Sequence, residues 1–342
     1  MTTRIIAQPR DLDLESPGRR DYSVALADDS LWGDHLIPLT VMVGPEAETG
    51  RGVFASGSNH GNEFEGPVAL KGLMREINID DVRGRLILVP VLNPGAFESA
   101  TRESVLYDGV NLNRAFVDGA GHGTLLSGIT HRIAAFVREF IWPHVHVVHD
   151  LHAGGPGYEF ALCSSFHHVA DKEQAQDIED AARWYGTPFI MAYQDQTPGL
   201  LPSDAERAGK ITIGSELGWG QAVNPDGVRY GRHGVLASAI HHAQLAGTIE
   251  PIAHHADGSQ IRVQLVDRDC YVNAPFGGFY EPLYRCGRKV SAGEVVGRMH
   301  DFNRIDEPAT DIKAAVAGYI LCQTWQNPVR HGIFVLAVAK EV

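Results

Sequence analysis

Residues 52–66, Gly52-Val-Phe-Ala-Ser-Gly-Ser-Asn-His-Gly-Asn-Glu-Phe-Glu-Gly66, run straight into Pro67-Val-Ala-Leu-Lys-Gly-Leu-Met-Arg-Glu76. The first five residues read as a short buried strand, and Ser56 to Gly66 as a glycine-bearing turn. From Pro67 on, Val68, Leu70, Leu73, Met74 and Ile77 recur at near-helical spacing. A strand that passes through a turn into a helix is the repeating unit of an α/β sheet, and such turns project side chains over the crevice at the strands' carboxyl ends. Gly57 and Gly61 allow the backbone to pack tightly there.

The same alternation extends outward. Arg85-Leu-Ile-Leu-Val-Pro-Val-Leu, Val145-His-Val-Val-His-Asp-Leu and Lys210-Ile-Thr-Ile-Gly read as further strands, and Ile129 to Ile141 as another crossover helix. The expected fold is α/β, a mixed sheet covered by helices, over residues 1–248 including an N-terminal extension. From about 249 to 342, short Val- and Tyr-bearing runs separated by Gly, Pro and Asp predict a smaller β-rich domain. Within it, residues 280–297 and 312–320 resemble the two halves of a biotinyl/lipoyl-type barrel-sandwich. Lys313 sits inside an apolar run with no Met-Lys-Met tip, so the domain reads as structural rather than as a carrier.

Composition narrows the function. With 29 Lys+Arg against 42 Asp+Glu over 342 residues, the formal charge is −13, which disfavours nucleic acid and anionic membrane as partners. Arg4, Arg10, Asp11 and Asp13 interrupt any signal-peptide core, and no apolar run reaches the roughly 20 residues of a membrane span. A cytoplasmic protein is expected, with Cys163, Cys270, Cys286 and Cys322 reduced, since none forms a CxxC pair. GxSxG, GxGxxG, Walker A and HExxH motifs are missing, which weakens serine-hydrolase, nucleotide-binding and zincin readings.

The chemistry concentrates at strand ends. His60 and Glu63, three apart in the first turn, can both reach one metal ion. His152 closes Val147-Val-His-Asp-Leu-His-Ala-Gly-Gly, again a strand running into a glycine-rich turn. Two histidines and a glutamate with a fourth position left open form a known catalytic zinc set. The adjacent pairs His167-His168, His241-His242 and His254-His255 read as surface residues, and His144 and His146 as facing a helix or solvent.

In order, His60-Gly-Asn-Glu63, Asn93-Pro through Thr101-Arg102, Asn111-Leu-Asn-Arg114, Asp150-Leu-His152 and Gly214-Ser-Glu216 resemble the motifs of the succinylglutamate desuccinylase/aspartoacylase family. These are zinc amidohydrolases related to the metallocarboxypeptidases. The resemblance implies a zinc-carboxypeptidase-like fold and one Zn²⁺ per chain on His60, Glu63 and His152. It makes Glu216 the catalytic acid/base and Arg102 the donor to the oxyanion, and it places the substrate carboxylate on Asn113 and Arg114. These roles suit general-base chemistry, transition-state stabilisation and bidentate recognition. Relatives often carry Asp where this chain has Asn111; a neutral acceptor there orients an imidazole while raising its basicity less. Asp150 offers a further partner.

Taken as a whole, the chain is most similar to the branch that deacetylates Nα-acetyl-L-2,4-diaminobutyrate in ectoine breakdown, notably at Ala100-Thr-Arg and Gly214-Ser-Glu-Leu-Gly-Trp-Gly. That substrate bears a side-chain ammonium, which needs a buried partner. Glu159, Asp195 and Asp204 are candidates, and Asp195 is favoured because it follows the strand-like Phe189-Ile-Met-Ala-Tyr. The alternatives are an aspartoacylase- or desuccinylase-type deacylase, a short-peptide metallocarboxypeptidase and a non-enzymatic binding module. The partner is thus a small acetylated amino acid, and a homo-oligomer stays open.

Overall fold

Buried on both faces, the central strands alternate between two cores rather than between core and water. Phe54 packs on one side of the sheet with Ile87, Val89 and Val148. Val53 and Ala55 pack on the other with Leu86, Leu88, Val147 and Leu151. That explains the unbroken apolar runs, as expected for parallel strands covered by helices on each side.

The computed structural model describes residues 5–27, 33–119, 128–193, 196–252 and 259–342. Its strands are β1 (Ile5–Ala7), β2 (Gly18–Ala27), β3 (Asp34–Val43), β4 (Val53–Gly57), β5 (Arg85–Val89), β6 (Val147–His152), β7 (Tyr158–Phe160), β8 (Cys163–His167), β9 (Phe189–Tyr193) and β10 (Ile211–Glu216). The tail adds β11 (Ile261–Gln264), β12 (Tyr271–Asn273), β13 (Phe279–Pro282), β14 (Lys289–Val290), β15 (Val295–His300), β16 (Thr310–Lys313), β17 (Gly318–Thr324) and β18 (Phe334–Glu341). Helices α1 (Glu65–Glu76), α2 (Pro94–Ser99), α3 (Ile129–Phe136), α4 (Lys172–Trp184), α5 (Leu201–Arg207) and α6 (Pro225–His241) cover the sheet. Among the described residues no helix is long and apolar enough to cross a membrane.

The main sheet runs β1-β2-β3-β5-β4-β6-β10-β8-β9-β11-β18-β17-β14. Strands β5, β4, β6 and β10 are mutually parallel, whereas β10 and β8 are antiparallel. The expected α/β architecture is present, with an antiparallel β-rich tail in which β13, β15 and β16 form a separate small sheet. The tail does not stand off from the main sheet, because β11 pairs parallel with β9 and antiparallel with β18. The 129–141 segment begins as α3 and ends in a wider π-helical turn from Val137 to Ile141. The N-terminal extension holds the ten-residue strands β2 and β3, whose hairpin continues the sheet beyond β5. All four cysteines are free; three are buried and Cys286 is half-buried.

Candidate active site

Strand register brings the site together. Glu216 and His152 are direct neighbours at the ends of the parallel strands β10 and β6. The β4–α1 turn carries His60 and Glu63 over those same ends. It can do so because Gly57 and Gly61 lack side chains: a Cβ on Gly61 would stand 1.9 Å from the Ala96 carbonyl carbon, and one on Gly57 2.7 Å from Gly66.

The ligand atoms of His60, Glu63 and His152 lie within 4.8 Å of one another. His60 Nδ1 is 2.8 Å from Glu63 Oε1, and His152 Nδ1 is 2.9 Å from Glu63 Oε2. The outer nitrogens settle what these contacts mean. Asn113 N–H donates to Asn111 Oδ1 at 2.9 Å, so that oxygen is an acceptor. It lies 3.2 Å from His60 Nε2, which therefore carries the hydrogen. His152 Nε2 likewise donates to Asp150 Oδ2 at 2.8 Å, and Asp150 also accepts from Asn59. Both neutral rings then aim an Nδ1 lone pair at a carboxylate, an arrangement that a cation between them reconciles. The donor set fits a divalent metal, and Asn111 orients its imidazole as the sequence suggested.

Electrostatics agree for His60 and Glu63, whereas His152 is held towards its protonated form, so a metal bound there displaces a proton. Burial lowers the His60 pKa and outweighs the raising effect of Glu63, keeping the ring in the metal-binding form. Burial alone would raise the Glu63 carboxyl, but His60 and His152 overrule it and hold it well below the usual range. For His152, burial opposes protonation, yet Asp150 and Glu63 together push the ring well above its ordinary value. Burial, reinforced by Glu63, raises Glu216 to about 8. Its Oε2 is buried and meets no hydrogen-bond donor among the described residues. A carboxyl group that titrates near neutrality beside the His60–Glu63–His152 cluster suits proton transfer.

The second and third motifs frame the opening. Asn93 caps α2 by accepting from Ala96 N–H and from Ser104 Oγ, while left-handed Ala100 ends that helix. The chain then turns to present Arg102, half-exposed, with Nη1 3.4 Å from Glu63 Oε1. Asn113 is buried; its Oδ1 accepts from Leu201 N–H at the start of α5, and its Nδ2 lies 3.1 Å from His152 Nε2. Arg114 is exposed and lines a cavity of about 230 Å³ together with Arg102, Asn113, His152 and Glu216. A second cavity, about 650 Å³, opens beside Glu63, Gly154, Tyr158 and Tyr193.

The acids considered for an ammonium partner fare differently. Asp195 lies outside the described residues. Asp204 is engaged elsewhere, accepting from Trp142 Nε1 at 2.9 Å and pairing with Arg138 and Arg207. Glu159 pairs with Gln323 of β17 and with Arg285. Neither Asp204 nor Glu159 lines the two cavities. Sequence reasoning missed Glu206, which does. It also misjudged His167, expected on the surface: the ring is buried, with Nδ1 2.9 Å from Glu206 Oε1. Strand β8 turns odd-numbered His167 inward and leaves His168 exposed. His254 and His255 lie outside the described residues. His146 packs against His242 and His144 pairs with Glu15, both away from the site as expected.

The sequence model of the succinylglutamate desuccinylase/aspartoacylase catalytic domain matches residues 49–242, more than half of the chain. The chain belongs to this family. It is an amide-hydrolysing enzyme. A family relative, the N-alpha-acetyl-L-2,4-diaminobutyric acid deacetylase of Halomonas elongata, is 30% identical over 92% of this chain and 89% of its own. The product-bound ectoine utilization protein EutE (DoeB) from Ruegeria pomeroyi superposes with a TM-score of 0.87 at 28% identity, over 96% of this chain and 98% of that one. A succinylglutamate desuccinylase/aspartoacylase from Rhodobacter sphaeroides gives 0.88 at 29%, over 97% and 98%.

Proposed function

We propose that this enzyme removes the acetyl group from Nα-acetyl-L-2,4-diaminobutyrate, releasing acetate and L-2,4-diaminobutyrate in ectoine breakdown in the cytoplasm. The observation that carries the reading is the His60–Glu63–His152 cluster beside the orphaned Glu216 carboxylate, in a chain aligned nearly end to end with a deacetylase of that name. We assign one Zn²⁺ to the three ligands; when bound, it supplies Lewis-acid polarisation and makes water easier to deprotonate. Glu216 takes the proton of the attacking water and returns it to the departing amine. Arg102 donates to the oxygen that gains charge as the carbonyl carbon becomes tetrahedral. Asn113 and Arg114 hold the substrate's carboxylate. We place the division between the hydrolytic unit and the β-rich unit at residues 248/249.

The test is acetate or acyl release, read as kcat/KM, over acetylated diaminobutyrate, acetylated norvaline, acetylated aspartate and succinylated glutamate, with dipeptides alongside. Acetylated diaminobutyrate is expected to lead norvaline by more than roughly tenfold. A lead for the aspartate or glutamate compound would keep the family chemistry and overturn the substrate.

A further inference from the structure

Glu206 is a fully buried carboxylate that no lysine or arginine pairs with among the described residues; its one ion-pair partner there is His167. Burying a carboxylate without a cation is costly, so the sites that retain one usually receive the cation from elsewhere. Asp204, two residues earlier on α5, shows the ordinary solution with two arginines.

Three groups fix the orientation of Glu206. Thr212 Oγ1 donates to Oε1 at 2.7 Å, His167 Nδ1 lies 2.9 Å from that same oxygen, and Gln196 Nε2 donates to Oε2 at 3.0 Å. A carboxylate offers about four acceptor positions, so Oε2 keeps one free. Tyr193, its ring 5.3 Å from that of His167, lines the same cavity and adds an aromatic face attractive to a cation.

The position suits a substrate side chain. Thr212 and Glu216 lie on one face of β10, four residues or about 13 Å apart along the strand. Gly214 sits between them on that face and contributes no side chain; a Cβ there would already come within 2.6 Å of Ser165 Oγ. An acyl-amino acid with its carbonyl beside Glu216 can therefore extend its side chain towards Thr212 and Glu206.

We infer that Glu206, positioned by His167, Gln196 and Thr212, binds the side-chain ammonium of the substrate and is the residue that sets specificity for a diamino acid. The inference rests on the proposed substrate. It also predicts that this chain disfavours acidic side chains, whose carboxylate would meet Glu206 as a like charge.

The experiment compares metal-loaded wild type and Glu206→Gln on acetylated diaminobutyrate and acetylated norvaline. The variant should lose about tenfold to a hundredfold in kcat/KM for the ammonium substrate, mainly through KM, while norvaline is unchanged or improved. Thr212→Val, which removes one orienting hydroxyl, should show a smaller loss of the same selectivity and decides the question if Glu206→Gln does not fold. Equal losses on both substrates, or none on either, would overturn the role of Glu206. Wild type that shows no preference for acetylated diaminobutyrate would instead overturn the substrate reading beneath it.

Discussion

Strand β6 carries a histidine on each face, His149 fully buried and His152 largely so, and their neighbours lead the two to opposite fates. His149 points into the core beneath α4, where its Nδ1 meets the Tyr185 hydroxyl at 2.7 Å and its Nε2 has no hydrogen-bond partner among the described residues. Among the described residues no carboxylate pairs with it, and burial, helped by His242, drives its pKa down to about 3. His152, three residues on, faces Asp150 and Glu63 and is pushed the other way. The residue type is the same and so is the strand; two carboxylates make the difference. A histidine near a site is thus a ligand candidate only when its second nitrogen has a fixed acceptor and its first has a charged neighbour to share a cation with.

The largest effect should come from breaking the charged side of the pair. His152→Ala should lose the bound metal and lower kcat/KM by on the order of 10⁴-fold or more, with secondary structure retained by circular dichroism. Next, Glu216→Gln should keep the metal but lower kcat by about 10² to 10⁴, since the amide cannot accept a proton. Asn111→Ala removes the acceptor that orients His60, and metal affinity measured by competition with a chelator should weaken by about 10- to 100-fold.

On the core side, His149→Gln should bind metal like wild type and alter only the pH dependence of stability. The native His149 pKa lies below its ordinary value of 6.5. As pH falls below 6.5 the unfolded chain therefore takes up a proton that the native chain refuses, and stability is lost down towards pH 3. Between pH 7 and 5 the wild type should lose about 2 kcal/mol more than the variant in denaturant titrations.

This contrast marks the limit of what could be read from the chain alone. His60 and Glu63 stood out in the turn after β4 and His152 at the end of β6, all local signals, whereas the role given to Glu216 at the end of β10 came only from the family resemblance. Glu206 was not legible. It stands on α5, where residues two apart point about 200° from one another, so Asp204 and Glu206 look alike in sequence yet enter a structural network and the pocket respectively. His167 reaches the same pocket from β8, and it meets Glu206 only because β8 pairs with β10 while α5 packs on β10, contacts long-range in sequence. The reading of the fold began at Val53 and passed over the β2–β3 hairpin, whose place on the sheet rests on pairing with β5, some 45 residues further along.

Metal content per chain, measured by elemental analysis alongside acetate release in wild type, His152→Ala and His149→Gln, tests the central claim most directly. The account predicts about one zinc and full activity in wild type and His149→Gln, with neither in His152→Ala. Stoichiometric metal and undiminished turnover in His152→Ala would contradict it.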